Sequence, residues 1–236
     1  MNEKMKKNYL VTGASSGIGL AITQQLLNQG ELVTGIARRT EKTFDCENYS
    51  GFSLDFEKQT DLESGFKNIL KSQDSWDGLI CAAGYGQFSF IEQFSFAQMQ
   101  NIMNVNFMAH ALLVKLMLPC LKKNKKGHVV FIGSESALEG GKNGAMYCAS
   151  KFAIRGFAQA LREECAKSGI NISVVNPGMV KTPFFESLNF RPGNAEENYI
   201  EPGDVASTVQ SILSMRAGTN IDEVNLSPLK HVIDFD

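Results

Sequence analysis

Paired cysteines are missing from this chain. Its five cysteines, Cys46, Cys81, Cys120, Cys148 and Cys165, are odd in number and widely spaced, and no two form a C-x-x-C pair. Such spacing supports neither a zinc site nor a redox motif; reduced thiols in a cytoplasmic protein are the plain reading. Histidine is equally scarce. His110, His128 and His231 are scattered, so no metal site is expected and the imidazoles read as incidental. No run of about 18 uninterrupted apolar residues occurs, which leaves no expected membrane span. The longest candidate, around residues 111–121, contains Lys115 and Pro119 and reads as a buried helix. The first residues are charged and then enter a short apolar run, without the apolar core and small-residue cleavage site of a secretory signal. A cytoplasmic protein with no membrane partner is therefore expected. An excess of one charge is lacking too. With 23 basic and 25 acidic residues the net charge is −2, too small to provide a field for nucleic acid. The one basic run, Lys122, Lys123, Lys125 and Lys126, precedes Gly127. Cations there complement a helix C-terminus, so a solvated helix end is expected.

What is present fits a globular chain. Of 236 residues, 43% are hydrophobic and 20% charged, which rules out disorder. Length alone would allow one large domain or two small ones. Strand-like runs rich in β-branched and aromatic residues occur at 8–12, 31–37, 51–54, 77–83, 128–134, 171–176 and 223–227, most of them bounded by Gly, Asp or Asn. Helical patterns lie between them. Residues 18–29 put Ile18, Ala21, Ile22 and Leu26 on one stripe, with Gly30 as a stop. Residues 146–167 place Phe152, Ile154, Phe157, Leu161 and Cys165 at mostly helical spacing, and 101–121 is a third long apolar helix. Strands alternating with helices predict an α/β, doubly wound, mostly parallel sheet covered on both faces. With no repeat, low-complexity tract or linker, residues 1–236 read as one domain.

The first strand runs into TGASSGIG, Thr12 to Gly19, and a helix begins inside that motif. Glycines at 13, 17 and 19 permit turn dihedrals and close backbone approach, while the helix N-terminus offers N–H groups to a pyrophosphate. Ser15 and Ser16 add hydroxyl donors. No G-K-[ST] follows, so a P-loop is excluded. The second strand ends in Ile36-Ala37-Arg38-Arg39, where an NAD site would carry an Asp or Glu for the ribose hydroxyl. Two guanidinium groups there suit a 2′-phosphate instead, which favours NADP(H) over NAD(H).

Tyr147 and Lys151 stand at i and i+4 and share a helix face. A free tyrosine titrates at about 10 and is a poor acid or base at neutral pH. A lysine charge, together with a cationic nicotinamide ring, would lower that value and let the phenol pass a proton to or from a carbonyl or alcohol. Ser134, at a strand end 13 residues before Tyr147, is the candidate second donor to the substrate oxygen.

Taken in order, TGASSGIG, Asn104-Val105-Asn106, Ser134, Tyr147-Cys148-Ala149-Ser150-Lys151 and the NPGMVKT run from Asn176 to Thr182 resemble the classical short-chain dehydrogenase/reductase family. The likeness spans nearly the whole chain. It implies a single-domain Rossmann fold with seven strands and a catalytic set of Ser134, Tyr147, Lys151 and Asn106. Asn106 would help hold a water that links the lysine to solvent, and Lys151 would also bind the nicotinamide ribose. Implied cofactor contacts are Gly13, Ser15, Ser16, Gly17, Ile18, Gly19, Arg38, Arg39, Asp55, Ala83, Gly84, Tyr147, Lys151, Pro177, Gly178, Val180 and Thr182. Asp55 would meet the adenine, and Pro177, Gly178 and Thr182 the nicotinamide and its carboxamide. The resemblance also implies that the long helices pair between subunits, as a homodimer or homotetramer. Three points depart from the pattern or leave it open. The family's Asn-Asn-Ala-Gly turn is Cys81-Ala82-Ala83-Gly84 here, so two amide side chains are lost and their support must come from elsewhere. Only 15 residues lie between Arg39 and Asp55, so the second crossover helix is expected to be short. Ser136 competes with Ser134, which spacing favours.

Ligands of open parallel sheets bind beyond the carboxyl ends of the strands. The loops 85–94, 135–145 and 179–202 there carry Phe88, Phe90, Ile91, Leu138, Met146, Met179, Phe184 and Phe185, an apolar pocket for a small or medium carbonyl or alcohol substrate. Lys142 and Arg191 are candidates for a substrate carboxylate. The expected activity is that of an NADP(H)-dependent oxidoreductase. The alternative is a catalytically silent NADP(H)-binding sensor or scaffold.

Overall fold

The structure, a computed structural model, describes residues 6–39 and 44–235. The strands β1 (Asn8–Thr12), β2 (Leu32–Ala37), β3 (Tyr49–Ser53), β4 (Gly78–Cys81), β5 (Gly127–Ile132), β6 (Ile170–Pro177) and β8 (Glu223–Leu226) form one sheet in the order β3-β2-β1-β4-β5-β6-β8. Every pairing in it is parallel. The chain starts at the centre, winds outward to β3, and returns to the other side of β1 through β4. That reversal opens a crevice beyond the carboxyl ends of β1 and β4.

Alternation along the central strands feeds two cores. Leu10, Leu79, Val129, Phe131, Ile172 and Val174 face one side, against α2 (Gln59–Leu70), α4 (Ala109–Asn124) and α5 (Ala145–Cys165). Tyr9, Val11, Ile80, Val130, Ile132 and Val175 face the other, against α1 (Gly17–Asn28) and α6 (Pro202–Leu213). A strand buried on both faces carries few polar side chains, Thr12, Thr34 and Ser173 being buried exceptions, which is why these strands read as mostly apolar runs. Fully burying each Leu, Ile, Val or Phe contributes about 1.5–3 kcal/mol relative to exposure.

The seven expected strands all appear, with ends shifted by at most a few residues. The second crossover differs. Between β2 and β3 no helix occurs among the described residues, and residues 40–43 lie outside them. The expected short helix is thus absent from the described part of the connection, which is short for a crossover with a helix of its own. Two further strands were not expected. β7 (Phe190–Pro192) and β9 (Ile233–Phe235) pair antiparallel as a separate ribbon, with Phe190 opposite Phe235. Three residues carry no readable alternation.

The third long helix begins earlier than expected. α3 (Phe96–Met103) is capped by Ser95, which exchanges hydrogen bonds with Gln98 in a capping box. It runs through a π-turn, Asn104–Met108, directly into α4. The whole stretch Phe96–Asn124 is long and apolar enough to cross a membrane by length and composition. Here its apolar face, Ile102, Val105, Ala109, Leu113, Val114, Met117 and Leu121, is buried. Lys122, Lys123, Lys125 and Lys126 are exposed at its end, with Lys125 in the left-handed region at φ 51°.

Burial holds His110 and His128 neutral, each lowered to about 4 from an ordinary 6.5; the Lys7 charge adds to the effect at His128. A group whose folded pKa is depressed favours folding above its unfolded value. That contribution is lost as pH falls from 6.5 towards 4, at about 3 kcal/mol for each imidazole at most. Urea unfolding at pH 7 and at about pH 5 is expected to show the loss, and His110→Gln to flatten the slope. An unchanged slope in the variant would remove His110 as a source.

Candidate active site

The turn after β1 is shaped by its glycines. Gly13 and Gly17 hold φ of 71° and 51°, which side-chain-bearing residues rarely adopt. Gly19 lies so close to Gly13 that a Cβ would stand 2.3 Å from the Gly13 carbonyl oxygen. α1 then begins at Gly17 with no acidic residue in its first turn and no side-chain cap from Ser16. Its leading N–H groups are open to an anion.

A groove of about 790 Å³ runs along the carboxyl ends of β1, β2 and β4. Gly13, Ser15, Ser16, Gly17, Ile18 and Gly19 form one wall, with Arg38, Arg39 and Asp55 at the β2 and β3 end. Ala83, Gly84 and Thr182 line it as well. Both arginines are exposed. An anion-ready helix end, a glycine cradle and two free-standing cations fit a phosphorylated dinucleotide.

Ser134, Tyr147, Lys151 and Asn106 converge at the ends of β5 and α5. Asn106 is 1%, Lys151 and Tyr147 are 7%, and Ser134 is 9% exposed, so water is largely kept from them. The Ser134 hydroxyl accepts from the Ser136 N–H at 3.1 Å. Lys151 Nζ donates to the Ile132 carbonyl at 3.1 Å and stands 5.7 Å from the Tyr147 ring centre. Asn106 lies in the π-turn. Its Nδ2 donates to the Tyr85 carbonyl at 3.0 Å and to Ser150 Oγ at 3.1 Å, and its Oδ1 accepts from the Tyr85 N–H at 3.0 Å. Ser150 in turn donates to the Tyr147 carbonyl at 2.7 Å.

Burial pushes the Tyr147 phenol up to about 12, with the Ser134 hydrogen bond pulling it partly back and the Cys148 and Glu135 charges adding to the rise. Burial also lowers the Lys151 ammonium to about 8. Without a cofactor, burial is the largest influence on the phenol.

Phe184 belongs to both halves of the site. It lines the groove, its ring centre is 5.9 Å from that of Tyr147, and its tip packs over Gly86. Phe88 lies 5.1 Å from Tyr147 and 5.0 Å from Phe190, whose ring is tilted against that of Phe235 across the β7–β9 ribbon. Tyr147, Lys151, Pro177, Gly178 and Val180 are not on the groove wall; Val180 is buried in the core, and Gly178 packs under the Glu135 carboxylate. Of the apolar loop residues, Phe88, Phe184 and Phe185 join this aromatic cluster, whereas Phe90, Ile91 and Leu138 are exposed. Lys142 and Arg191 are exposed.

Sequence reasoning passed over Thr12, Ser150, Glu135 and Phe190, and read His110 as incidental. His110 is 2% exposed and hydrogen-bonded at both ring nitrogens. Its position four residues after Asn106, one helical turn on, was the available signal. Among the described residues no three potential ligands gather as a metal site, and all five cysteines are free.

Comparison with known proteins agrees with this geometry. The family model for short chain dehydrogenase matches residues 7–192. An uncharacterized oxidoreductase of Staphylococcus epidermidis is 28% identical over 97% of this chain and 100% of its own length. A 3-oxoacyl-[acyl-carrier-protein] reductase of Buchnera aphidicola is 30% identical over 78% of each. Among solved structures, an alcohol dehydrogenase of the archaeon Thermococcus sibiricus complexed with 5-hydroxy-NADP superposes with a TM-score of 0.83. It is 25% identical, over 94% of this chain and 96% of that one.

Proposed function

Because the chain belongs to the short chain dehydrogenase family, we propose that it is an NADP(H)-dependent oxidoreductase interconverting a small or medium carbonyl compound and its alcohol. The observation that carries this reading is the burial of Ser134, Tyr147, Lys151 and Asn106 together, with Lys151 Nζ 5.7 Å from the Tyr147 ring centre, beside a glycine-walled groove. When bound, the cofactor supplies or takes up the hydride. Tyr147 passes the proton to or from the substrate oxygen, and Ser134 donates a hydrogen bond to that oxygen. Lys151 favours the phenolate once the surroundings carry more positive charge, and it holds the nicotinamide ribose. Asn106 supports the proton path on the lysine side. Gly13, Ser15, Ser16, Gly17, Ile18 and Gly19 hold the pyrophosphate, Asp55 the adenine, and Ala83, Gly84, Pro177, Gly178, Val180 and Thr182 the remaining length. Phe88, Phe184 and Phe190 wall the substrate side and suit an apolar body.

Residues 1–236 work as one cofactor domain in this reading, in the cytoplasm, as a homodimer or homotetramer. Met108 and Phe152, both exposed on the long-helix side, support pairing there. The test is a panel of aldehydes, ketones and β-hydroxy acids followed by NADPH absorbance. Turnover of a panel member is expected; tight cofactor binding with no turnover across the panel would leave a silent sensor.

Cofactor choice rests on Arg38 and Arg39. NADPH is expected to bind more tightly than NADH. The Arg38→Ala/Arg39→Ala variant should weaken NADPH by about 10–100-fold, the worth of one or two charge-assisted hydrogen bonds, with NADH little changed. Fluorescence titration of both cofactors measures it. Tighter NADH binding by the unaltered protein overturns the assignment.

A further inference from the structure

We propose that His110 is a positioning residue that ties the floor of the cofactor groove to the π-turn carrying Asn106. The claim rests on the groove being a dinucleotide site. Its ground is one chain of hydrogen bonds. His110 Nδ1 lies 3.2 Å from the Asn106 carbonyl oxygen, and its Nε2 lies 3.1 Å from Thr12 Oγ1. A carbonyl only accepts, so Nδ1 carries the proton and Nε2 accepts from the Thr12 hydroxyl, whose other acceptor, the Ile80 carbonyl, is farther away at 3.5 Å. That leaves the Thr12 oxygen facing the other way as an acceptor. The N–H groups of Ala82 and Ala83 both donate to it, at 3.0 and 3.1 Å.

The consequence lies in what these groups hold. Ala83 and Gly84 line the groove, and the Ala83 backbone packs against Gly13, where a Cβ would come within 2.9 Å of the Ala83 nitrogen. The turn Cys81-Ala82-Ala83-Gly84 has no side-chain amide of its own, and Cys81 is buried. Its two N–H groups depend on Thr12, and the Thr12 hydroxyl is aimed by the imidazole. On its other side the same ring pins the backbone of Asn106, whose side chain grips Tyr85 just beyond the turn and Ser150 on α5. One neutral ring, packed edge-on against Phe56, thus links β1, the turn after β4, the π-turn and the helix of Tyr147 and Lys151. The support lost with the turn's amides is supplied from α4 through Thr12.

Amide hydrogen exchange on the cofactor-free protein tests the link without any appeal to function. His110→Leu and Thr12→Val are each expected to speed exchange at Ala82 and Ala83 at least about tenfold. His110→Gln, which keeps a donor and an acceptor at the two ends, should restore protection. Cofactor titration and steady-state kinetics then read the positioning. In His110→Leu the cofactor Kd should rise and kcat should fall, each at least about tenfold. The Gln variant should return both to within about threefold, and Thr12→Val/His110→Leu should be no worse than the poorer single variant. Unchanged exchange, unchanged Kd and kcat, or single effects that multiply in the double variant would overturn the proposal. Should His110→Leu fail to fold, the near-isosteric Thr12→Val against Thr12→Ser decides the same point. Faster exchange together with no binding of either NADPH or NADH by the unaltered protein would uphold the link and overturn the reading of the groove.

Discussion

Replacing Tyr147 with phenylalanine is expected to lower kcat by about a thousandfold, within the range of a lost general acid or base, which is about 4 kcal/mol of barrier. Cofactor affinity should change less than about twofold, because the lost atom is a proton carrier at the substrate oxygen. The fold should tolerate the change. The ring keeps its contacts with Phe88 and Phe184. The Ser134 hydroxyl keeps the Ser136 N–H, so the cost is one hydrogen bond, about 1 kcal/mol. Near-normal turnover would refute the acid–base role. Loss of NADPH binding with turnover in proportion would move Tyr147 to the cofactor instead. The pH dependence gives a second check. Burial holds the phenol at about 12, so it carries its proton at neutral pH. Carbonyl reduction needs that proton and should be nearly flat between about pH 6 and about pH 8. Alcohol oxidation needs the phenolate and should rise across the same range. Initial rates in both directions measure it, and an oxidation rate that falls as pH rises would contradict the assignment.

The second large effect is steric. Gly19→Ala is expected to destabilise the protein by about 3 kcal/mol or more and to weaken cofactor binding at least about tenfold. Its Cβ would stand 2.3 Å from the Gly13 oxygen, 2.7 Å from the Gly13 carbonyl carbon and 3.2 Å from the Thr12 oxygen. All three are backbone atoms of the turn that leads into α1, so relief requires the turn itself to open. The same substitution at Gly156 has the opposite expected sign. Gly156 is an exposed position inside α5 with nothing near its Cβ direction, and alanine there should stabilise by about 0.5–1 kcal/mol. Thermal unfolding of the two variants side by side reads the contrast. Equal shifts in both would show that the close approach at Gly19 is not what the glycine serves.

Much of the architecture was legible because the central strands are buried on both sides. Val129, Val130, Phe131 and Ile132 cannot alternate with polar residues when both faces meet helices, so the run announces itself. Gly13, Gly17 and Gly19 were legible for a related reason. Backbone that turns left-handed favours glycine, and backbone that passes within contact distance of itself leaves no room for a Cβ. The β7–β9 ribbon was not legible, since Phe190–Pro192 and Ile233–Phe235 are short and meet only through a partner about forty residues away. His110 was misread because a lone buried histidine looks the same in sequence whether it fills space or bridges two groups. The depth at which Tyr147 is buried was not legible, because a motif shows the neighbouring charge but not how much water is excluded around it.

The sequence by itself determined the sheet, its winding, the family, and the placing of Tyr147 and Lys151 on one helix face. Local periodicity and backbone sterics suffice for the strands, helices and shared face, and the likeness to the family rests on its ordered motifs. Only the tertiary structure decided that Phe184 reaches both the groove and the Tyr147 ring. It alone decided how deeply the phenol is buried, and that His110 and Thr12 take over the support of a turn without amides. Those outcomes depend on distances between groups far apart in the chain and on how much water is excluded between them. Spacing along the chain carries neither quantity.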